Sequence, residues 1–300
     1  MLIVFGSINA DLLLEVDHLP RPGETVGARS CRWLPGGKGA NQATAAAKAG
    51  ARVRLFGAVG RDPYGPSLRQ GLREAGVDTR GVREVDGPSG VAVVAVEPGG
   101  ENLILVASGA NAAVRADQLR DEDLVPGAVL LCQNELPSTE TFALLIRAHR
   151  RGLTTVLNLA PATVPPDGVL DAVDVLVVNE GELRLLAGEG DTAEGARSLA
   201  RRFALTAVVT LGARGALAVS RGRMLRVAAL SVPVVDTTGA GDAFVGVLAA
   251  ALAEGLPLEV ALRRASVAAA LTCTRLGAQE AQPGRAEIEA RIAELPPPQP

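Results

Sequence analysis

From residue 128 to residue 215 the chain repeats one pattern. Short apolar runs end in polar residues, and helix-length stretches rich in alanine, leucine and arginine lie between most of them. The runs are Ala128 to Gln133, Thr154 to Leu159, Val173 to Val178 and Ala207 to Leu211. Helices are predicted over Thr139 to Arg151, from the end of the third run to Leu186, and over Thr192 to Phe203 with Asp191 as cap. Strands alternating with helices pair in parallel, and a parallel sheet is covered on both faces. The pattern therefore predicts an α/β fold with a mostly parallel sheet and helices on both faces. The runs end at Asn134-Glu135, Ala160-Pro161-Ala162, Asn179-Glu180-Gly181-Glu182 and Gly212-Ala213-Arg214-Gly215. Open α/β sheets bind ligands just outside such strand ends.

The amino-terminal third is less regular. Leu2 to Phe5 reads as the first strand of the buried sheet, ending at Gly6-Ser7-Ile8-Asn9-Ala10-Asp11. Val53 to Val59 reads as a strand and Ser67 to Ala75 as a helix. Leu12 to Val16, Thr25 to Ala28, Gly90 to Val96 and Asn102 to Ala107 break the rhythm. The last two form a hairpin around Pro98-Gly99-Gly100. Together these four predict a small separate sheet, a lid inserted at about 12–35 and 88–107 into one domain spanning 1–300.

Three turns carry polar groups suited to chemistry. The strongest is Asp236-Thr237-Thr238-Gly239-Ala240-Gly241-Asp242. An apolar run, Val232 to Val235, enters it and an alanine- and leucine-rich run, Ala243 to Ala253, leaves it, which reads as strand, turn and helix. The N–H groups of Gly239, Ala240 and Gly241 then lie at a helix N-terminus, where unpaired donors and the helix dipole favour phosphate. Asp242 is either a helix cap or a general base beside a transferred phosphoryl group. Pro35-Gly36-Gly37-Lys38-Gly39-Ala40-Asn41-Gln42 opens a second helix, through Lys48. It lacks Walker A spacing. Lys38 and Asn41 could donate to the hydroxyls of a polyol. Asn9 and Asp11 offer an amide and a carboxylate to the same hydroxyls, although alone they read equally well as a turn. Leu258 to Thr274 is predicted as a helix, and the tail Pro296 to Pro300 is expected to fray.

Composition narrows the function. A net charge of −3 gives no footprint for nucleic acid, and 2% aromatic residues give no base-stacking platform. No apolar run is long enough to span a membrane, and the start lacks the basic region of a signal peptide. Cys31, Cys132 and Cys273 are scattered without metal spacing and are expected to be reduced thiols of a cytoplasmic protein. Only Lys38 and Lys48 are lysines, so nearly all the basic charge is arginine.

Five segments in register, Gly6 to Asp11, Gly36 to Asn41, Asn179-x-x-Glu182, Thr210-Leu211-Gly212-x-x-Gly215 and Asp236 to Asp242, resemble the signatures of the ribokinase family of sugar kinases. The resemblance runs from about residue 2 to about residue 293. It implies a ribokinase-like α/β domain with a β-sheet lid, often shared across a homodimer. It further implies transfer of the ATP γ-phosphate to the 5-hydroxyl of D-ribose. By position, Asn9, Asp11, Gly37, Lys38, Asn41 and Glu135 would hold the sugar, and Asp242 would take the proton. Gly239, Ala240 and Gly241 would form the anion hole. Asn179 and Glu182 would organise Mg²⁺ and its waters; Thr210, Gly212, Gly215 and Ser266 would line the nucleotide. A monovalent cation, usually K⁺, would sit on Asp236, the Thr238 carbonyl and carbonyls near Thr272, Arg275 and Gly277. Ala281 stands where the family often has a serine, so that cation would lack one ligand. Other readings are a kinase for deoxyribose, fructose, a keto-sugar acid or a nucleoside, and a non-catalytic sugar sensor. A dinucleotide-binding oxidoreductase would need G-x-G-x-x-G after the first strand, where Gly6-Ser7-Ile8-Asn9 stands instead.

Overall fold

The computed structural model describes residues 1–99 and 101–299. Its first strand, β1 (Leu2–Phe5), is wholly buried. Then come β2 (Asn9–Val16), β3 (Ala28–Gly36), α1 (Lys38–Lys48), β4 (Val53–Gly60), α2 (Gly65–Glu74), β5 (Asp78–Val85), β6 (Gly90–Val96) and β7 (Asn102–Ala107). The regular part holds β8 (Val129–Gln133), α3 (Ser138–Arg150), β9 (Thr154–Asn158), β10 (Val175–Asn179), α4 (Glu180–Ala187), α5 (Thr192–Arg202) and β11 (Thr206–Thr210). The chain closes with β12 (Ala216–Ser220), β13 (Arg223–Val227), α6 (Ala240–Ala253), α7 (Leu258–Thr272) and α8 (Arg285–Arg291).

Nine strands form the main sheet in the order β13-β12-β11-β10-β9-β8-β1-β4-β5. Every pair from β11 to β5 is parallel, and the β12–β13 hairpin adds an antiparallel edge. Side chains alternate across β1 as a strand requires. Leu2 and Val4 enter one core with α1, α2, α6, α7 and α8, while Ile3 and Phe5 enter the other with α3, α4 and α5. The predicted α/β architecture with helices on both faces is therefore the observed one. A second sheet, in the order β3-β2-β6-β7, stands beside it. The only tryptophan and the only tyrosine of the chain join the two: Trp33 of β3 stacks on Tyr64 just before α2, ring centroids 4.4 Å apart.

Several local expectations are corrected. Val232 to Val235 is not a strand. Pro233 lacks an N–H, Val234 and Val235 are exposed, and the Val235 and Asp236 amides donate to the carbonyl of Cys273 at the end of α7. The strand expected at Thr25 to Ala28 begins at Ala28 and continues to Gly36, so the second turn reduces to Gly37. Strand β5 and the β12–β13 hairpin were not expected. Alternating charged residues in Arg80-Gly81-Val82-Arg83 and a two-residue turn at Arg221-Gly222 mask them. The tail does not fray throughout: Gln299 exchanges backbone hydrogen bonds with Arg226 on the free edge of β13. Pro300 and Gly100 lie outside the described residues.

Candidate active site

Two helices start at the site, and each starts on a glycine in a backbone conformation that other residues rarely adopt. Gly37 precedes α1 at φ 87°, and Gly239 precedes α6 at φ 75°. The helices pack against each other closely enough that a Cβ on Gly246 would lie 2.4 Å from the Gln42 carbonyl. That approach carries Asn41 and Gln42 of α1 to Asp242 of α6.

Asp242 is 8% exposed, and both its oxygens are held by amide donors. Asn41 Nδ2 donates to Oδ2 and Gln42 Nε2 to Oδ1, each at 2.9 Å. The helix cap is Gly239, and Asp242 makes no capping bond. Behind these donors stands a layer of buried amides. Gln42 Nε2 also donates to Asn158 Oδ1 at 2.9 Å, Gln133 Nε2 donates to Gln42 Oε1 at 2.8 Å, and Gln279 Nε2 donates to Asn41 Oδ1 at 3.0 Å. An otherwise costly buried carboxylate is thereby given hydrogen bonds and one fixed orientation. Ala240 N–H points back to the Thr237 carbonyl at 3.2 Å, whereas Gly241 N–H belongs to the first helical turn, which has no intrahelical acceptor.

Around the start of α1, Glu135 Oε2 accepts from Ser7 Oγ at 2.5 Å and from Lys38 N at 3.0 Å. The Lys38 pKa is raised: the Asp242 carboxylate opposite outweighs burial, and Glu135, Glu182 and Asp11 add to it. Its ammonium therefore stays charged among four carboxylates. Asn9 is buried, with Oδ1 accepting from Asn111 Nδ2 at 2.8 Å. Asp11 Oδ1 is buried with no hydrogen-bond partner among the described residues. Burial, then the nearby Glu135 and Asp242 charges, push the Asp11 pKa up to about 7 against the pull of the Ala92 amide and Lys38. Gly36 makes the room, since a Cβ there would fall 1.9 Å from Asp11 Oδ2.

Two cavities meet at the α6 turn. One of about 170 Å³ is lined by Lys38, Asn158, Asn179, Glu182, Thr210, Gly239, Gly241 and Asp242, among others. The other, about 450 Å³, is mostly apolar and includes Thr210, Gly212, Gly215, Ala240, Gly241 and Ser266. Thr210 and Gly241 belong to both. Asn179 and Glu182 also form a reciprocal capping box, with Asn179 Oδ1 accepting from Glu182 N at 2.8 Å and Glu182 Oε2 from Asn179 N at 2.7 Å. Burial raises the Glu182 pKa, opposed by the Asn179 amide and Lys38. Ser266 Oγ donates to the Ala228 carbonyl at 2.6 Å, which leaves its lone pairs for a ligand.

Asp236 joins two segments. Oδ1 accepts from Thr238 N at 2.9 Å and Thr238 Oγ1 at 2.6 Å, and Oδ2 accepts from Gly277 N at 3.0 Å. Burial opposes its charge, but these bonds prevail and hold its pKa below the usual carboxylate value. Thr272 ends α7 with its carbonyl accepting from Arg275 N at 3.2 Å, and the Arg275 guanidinium pairs with Glu287. Ala281 is buried and brings only a methyl group. Among the described residues no cluster of three His, Cys, Asp or Glu side chains could hold a metal ion, and no helix is long and apolar enough to cross a membrane.

Sequence reasoning passed over Ser7, Gln42, Asn111, Gln133, Asn158 and Gln279. Gln133 and Asn158 end β8 and β9, so the rule of polar strand ends could have found them. Nothing local marks Gln279.

A buried carboxylate and unpaired N–H groups at a helix N-terminus, beside two adjoining cavities, are an arrangement suited to phosphoryl transfer. The profile of the pfkB family of carbohydrate kinases matches residues 1–285. The ribokinase of Haemophilus influenzae is 34% identical over 294 residues, covering 95% of this chain and 96% of its own. The deoxyribokinase of Salmonella typhimurium is 34% identical over 289 residues, covering 93% and 94%. The structure of Arabidopsis thaliana ribokinase complexed with ribose and ATP superimposes with a TM-score of 0.88 at 33% identity, covering 97% of this chain and 98% of that one. The chain belongs to the pfkB family of carbohydrate kinases.

Proposed function

We propose that this protein transfers the γ-phosphoryl group of ATP to the 5-hydroxyl of D-ribose, giving ribose 5-phosphate and ADP. The observation that carries the reading is Asp242, fixed by Asn41 and Gln42 on the wall of the smaller cavity with Lys38, next to Gly241, which also lines the larger one. The apolar cavity suits the adenosine, with Thr210, Gly212, Gly215 and Ser266 around it. Asn9, Asp11, Gly37, Lys38, Asn41 and Glu135 would orient the sugar. Asp242 accepts the proton of the attacking hydroxyl as its oxygen bonds to the γ-phosphorus and the bond to ADP breaks. A weak base suffices, because the loose transition state demands little early deprotonation. Gly241 N–H and Lys38 meet the charge on the transferred group, with Gly239 and Ala240 shaping the turn.

Mg²⁺ would suit Glu182, a hard carboxylate on the wall of the smaller cavity, held in place by the Asn179 amide. A single carboxylate with phosphate oxygens and waters is a usual Mg²⁺ environment. Bound there, the ion would neutralise phosphate charge. K⁺ would be held by Asp236, the Thr238 carbonyl and carbonyls near Thr272, Arg275 and Gly277, an all-oxygen set to which Ala281 adds no side-chain oxygen. It would offset the Asp236 charge next to the anion turn. Replacing KCl by tetramethylammonium chloride at fixed Mg-ATP and ionic strength should therefore lower kcat, and Asp236→Ala should remove the difference along with most activity. Equal rates in the two salts would refute the cation.

A homodimer through the small sheet is supported by Trp33, Ile104, Leu105 and Val106, large apolar side chains exposed on β3 and β7. Sedimentation equilibrium should give twice the chain mass, and a monomer would refute it.

The Salmonella typhimurium deoxyribokinase is as similar to this chain as the Haemophilus influenzae ribokinase, 34% identical, which gives 2-deoxyribose as a second reading. A coupled ADP assay across ribose, deoxyribose, fructose, a keto-sugar acid and nucleosides decides the substrate. Ribose should give the highest kcat/KM. Turnover of a nucleoside or deoxyribose in preference to ribose would overturn the assignment.

A further inference from the structure

Lys48, the second of the two lysines, lies at the end of α1, away from the reacting groups. Its Nζ donates to three main-chain carbonyls, those of Gln279 at 2.8 Å, Gln282 at 3.2 Å and Glu280 at 3.4 Å. A lysine that only served the terminus of its own helix would point at the last carbonyls of α1. These acceptors are instead 231 to 234 residues away.

The segment that Lys48 holds, Gly277 to Gln282, is a strap across the start of α6. Gly277 N donates to Asp236. Ala278 presses on Gly239, where a Cβ would lie 2.9 Å from the Ala278 Cα. Gln279 donates to Asn41, which holds Asp242. Gln282 Nε2 donates to the Ala278 carbonyl at 2.8 Å and to the Gly239 carbonyl at 3.4 Å. Gln279, Ala281 and Gln282 are buried. The strap therefore touches both the anion turn and the donor behind the base, and Lys48 is fixed to its other side.

The residue type agrees with that task. A chain that uses arginine almost everywhere keeps lysine here, where three acceptors surround one nitrogen. An ammonium offers three N–H bonds from one atom; a guanidinium spreads its donors over a plane.

We propose that Lys48 is a positioning residue: its ammonium pegs the Gly277–Gln282 strap, and through Gln279 and Gly239 it sets the geometry of the base and the anion turn. The inference rests on the assignment of Asp242 as base. A small displacement of reacting groups costs up to about a hundredfold in rate. Lys48→Met, which keeps the stem and loses the donors, should lower kcat about tenfold to a hundredfold while the ribose KM stays within about twofold. Lys48→Arg, charged but planar, should recover only part of the loss. Hydrogen exchange on the full chain should show faster exchange confined to residues 275–283 and the first turn of α6. A Lys48→Met enzyme with wild-type kcat overturns the inference. So does faster exchange spread evenly over the molecule, which is the mark of a lysine that merely stabilises the fold. If the wild-type enzyme phosphorylates no sugar, the functional assignment falls, and the exchange pattern still decides whether Lys48 pegs the strap.

Discussion

Asp242→Asn should lower kcat by about 10²- to 10⁴-fold, the usual worth of a general base, while ribose and ATP still bind. The substitution keeps the shape and removes the proton acceptor. The surroundings make the test sharper than an exposed carboxylate would. Both oxygens of Asp242 face N–H donors, from Asn41 and Gln42. An asparagine offers one oxygen and one NH₂, so one donor pair would meet N–H against N–H. Leaving such a buried group unpaired costs about 1–3 kcal/mol, so the variant should also melt at a lower temperature. Calorimetric titration with ribose and with ATP separates that effect from the chemistry. A variant within tenfold of the wild-type kcat would remove Asp242 from the role of base. Asp242 as a mere helix cap is already disfavoured, because Gly239 occupies the cap and the carboxylate turns to α1.

The second large effect is expected at Asp11. Its Oδ1 is buried with no hydrogen-bond partner among the described residues, an acceptor that a sugar hydroxyl would satisfy. A hydrogen bond to a charged group is worth about 1.5–3 kcal/mol, so Asp11→Ala should raise the ribose KM from about tenfold to over a hundredfold, with the ATP KM little changed. The raised pKa adds a pH dependence. Burial first, and the neighbouring Glu135 and Asp242, push the Asp11 pKa up to about 7 from an ordinary 3.8. Below that pH the group is a neutral carboxyl, and above it a carboxylate that accepts from two hydroxyls. If the sugar needs the carboxylate, apparent affinity scales with the ionised fraction, so the ribose KM should rise roughly tenfold from pH 8 to pH 6. The sign for folding is opposite to that of a salt-bridged aspartate. The folded state holds this proton more tightly than the unfolded chain, so the contribution of Asp11 to stability falls as pH rises from about 4 to about 7. A ribose KM flat over this range, or a rise in the ATP KM instead, would place Asp11 outside the sugar site.

What the sequence determined is what short-range patterns can specify. Apolar runs alternating with helices dictated a covered parallel sheet, since no other arrangement buries both faces of such strands. Glycines before Lys38 and Ala240 marked two helix starts, because each needs a backbone with positive φ. Thus Asp242, Lys38, Asn179, Glu182 and Thr210 were legible as site candidates before any fold was known, and one cavity gathers all five. Strand β5 has no local signal and the Val232–Val235 segment has a misleading one, because a sheet position depends on which edge is open rather than on local apolarity.

Only the tertiary structure decided what holds those candidates. Gln279 reaches Asn41 across 238 residues of chain, and Asn41 and Gln42 reach Asp242 across 201 and 200. Amides have no periodicity and no preferred spacing, so a glutamine that holds another buried amide looks like one facing solvent until packing buries it. The same holds for charge. Asp11 is an ordinary carboxylate in the sequence, and it becomes a group titrating near 7 only when the fold removes its water and brings Glu135 and Asp242 near. Lys48 likewise gained its three carbonyls only when the last loop folded back over the end of the first helix, because hydrogen-bond partners are set by proximity in space and sequence distance carries no record of it.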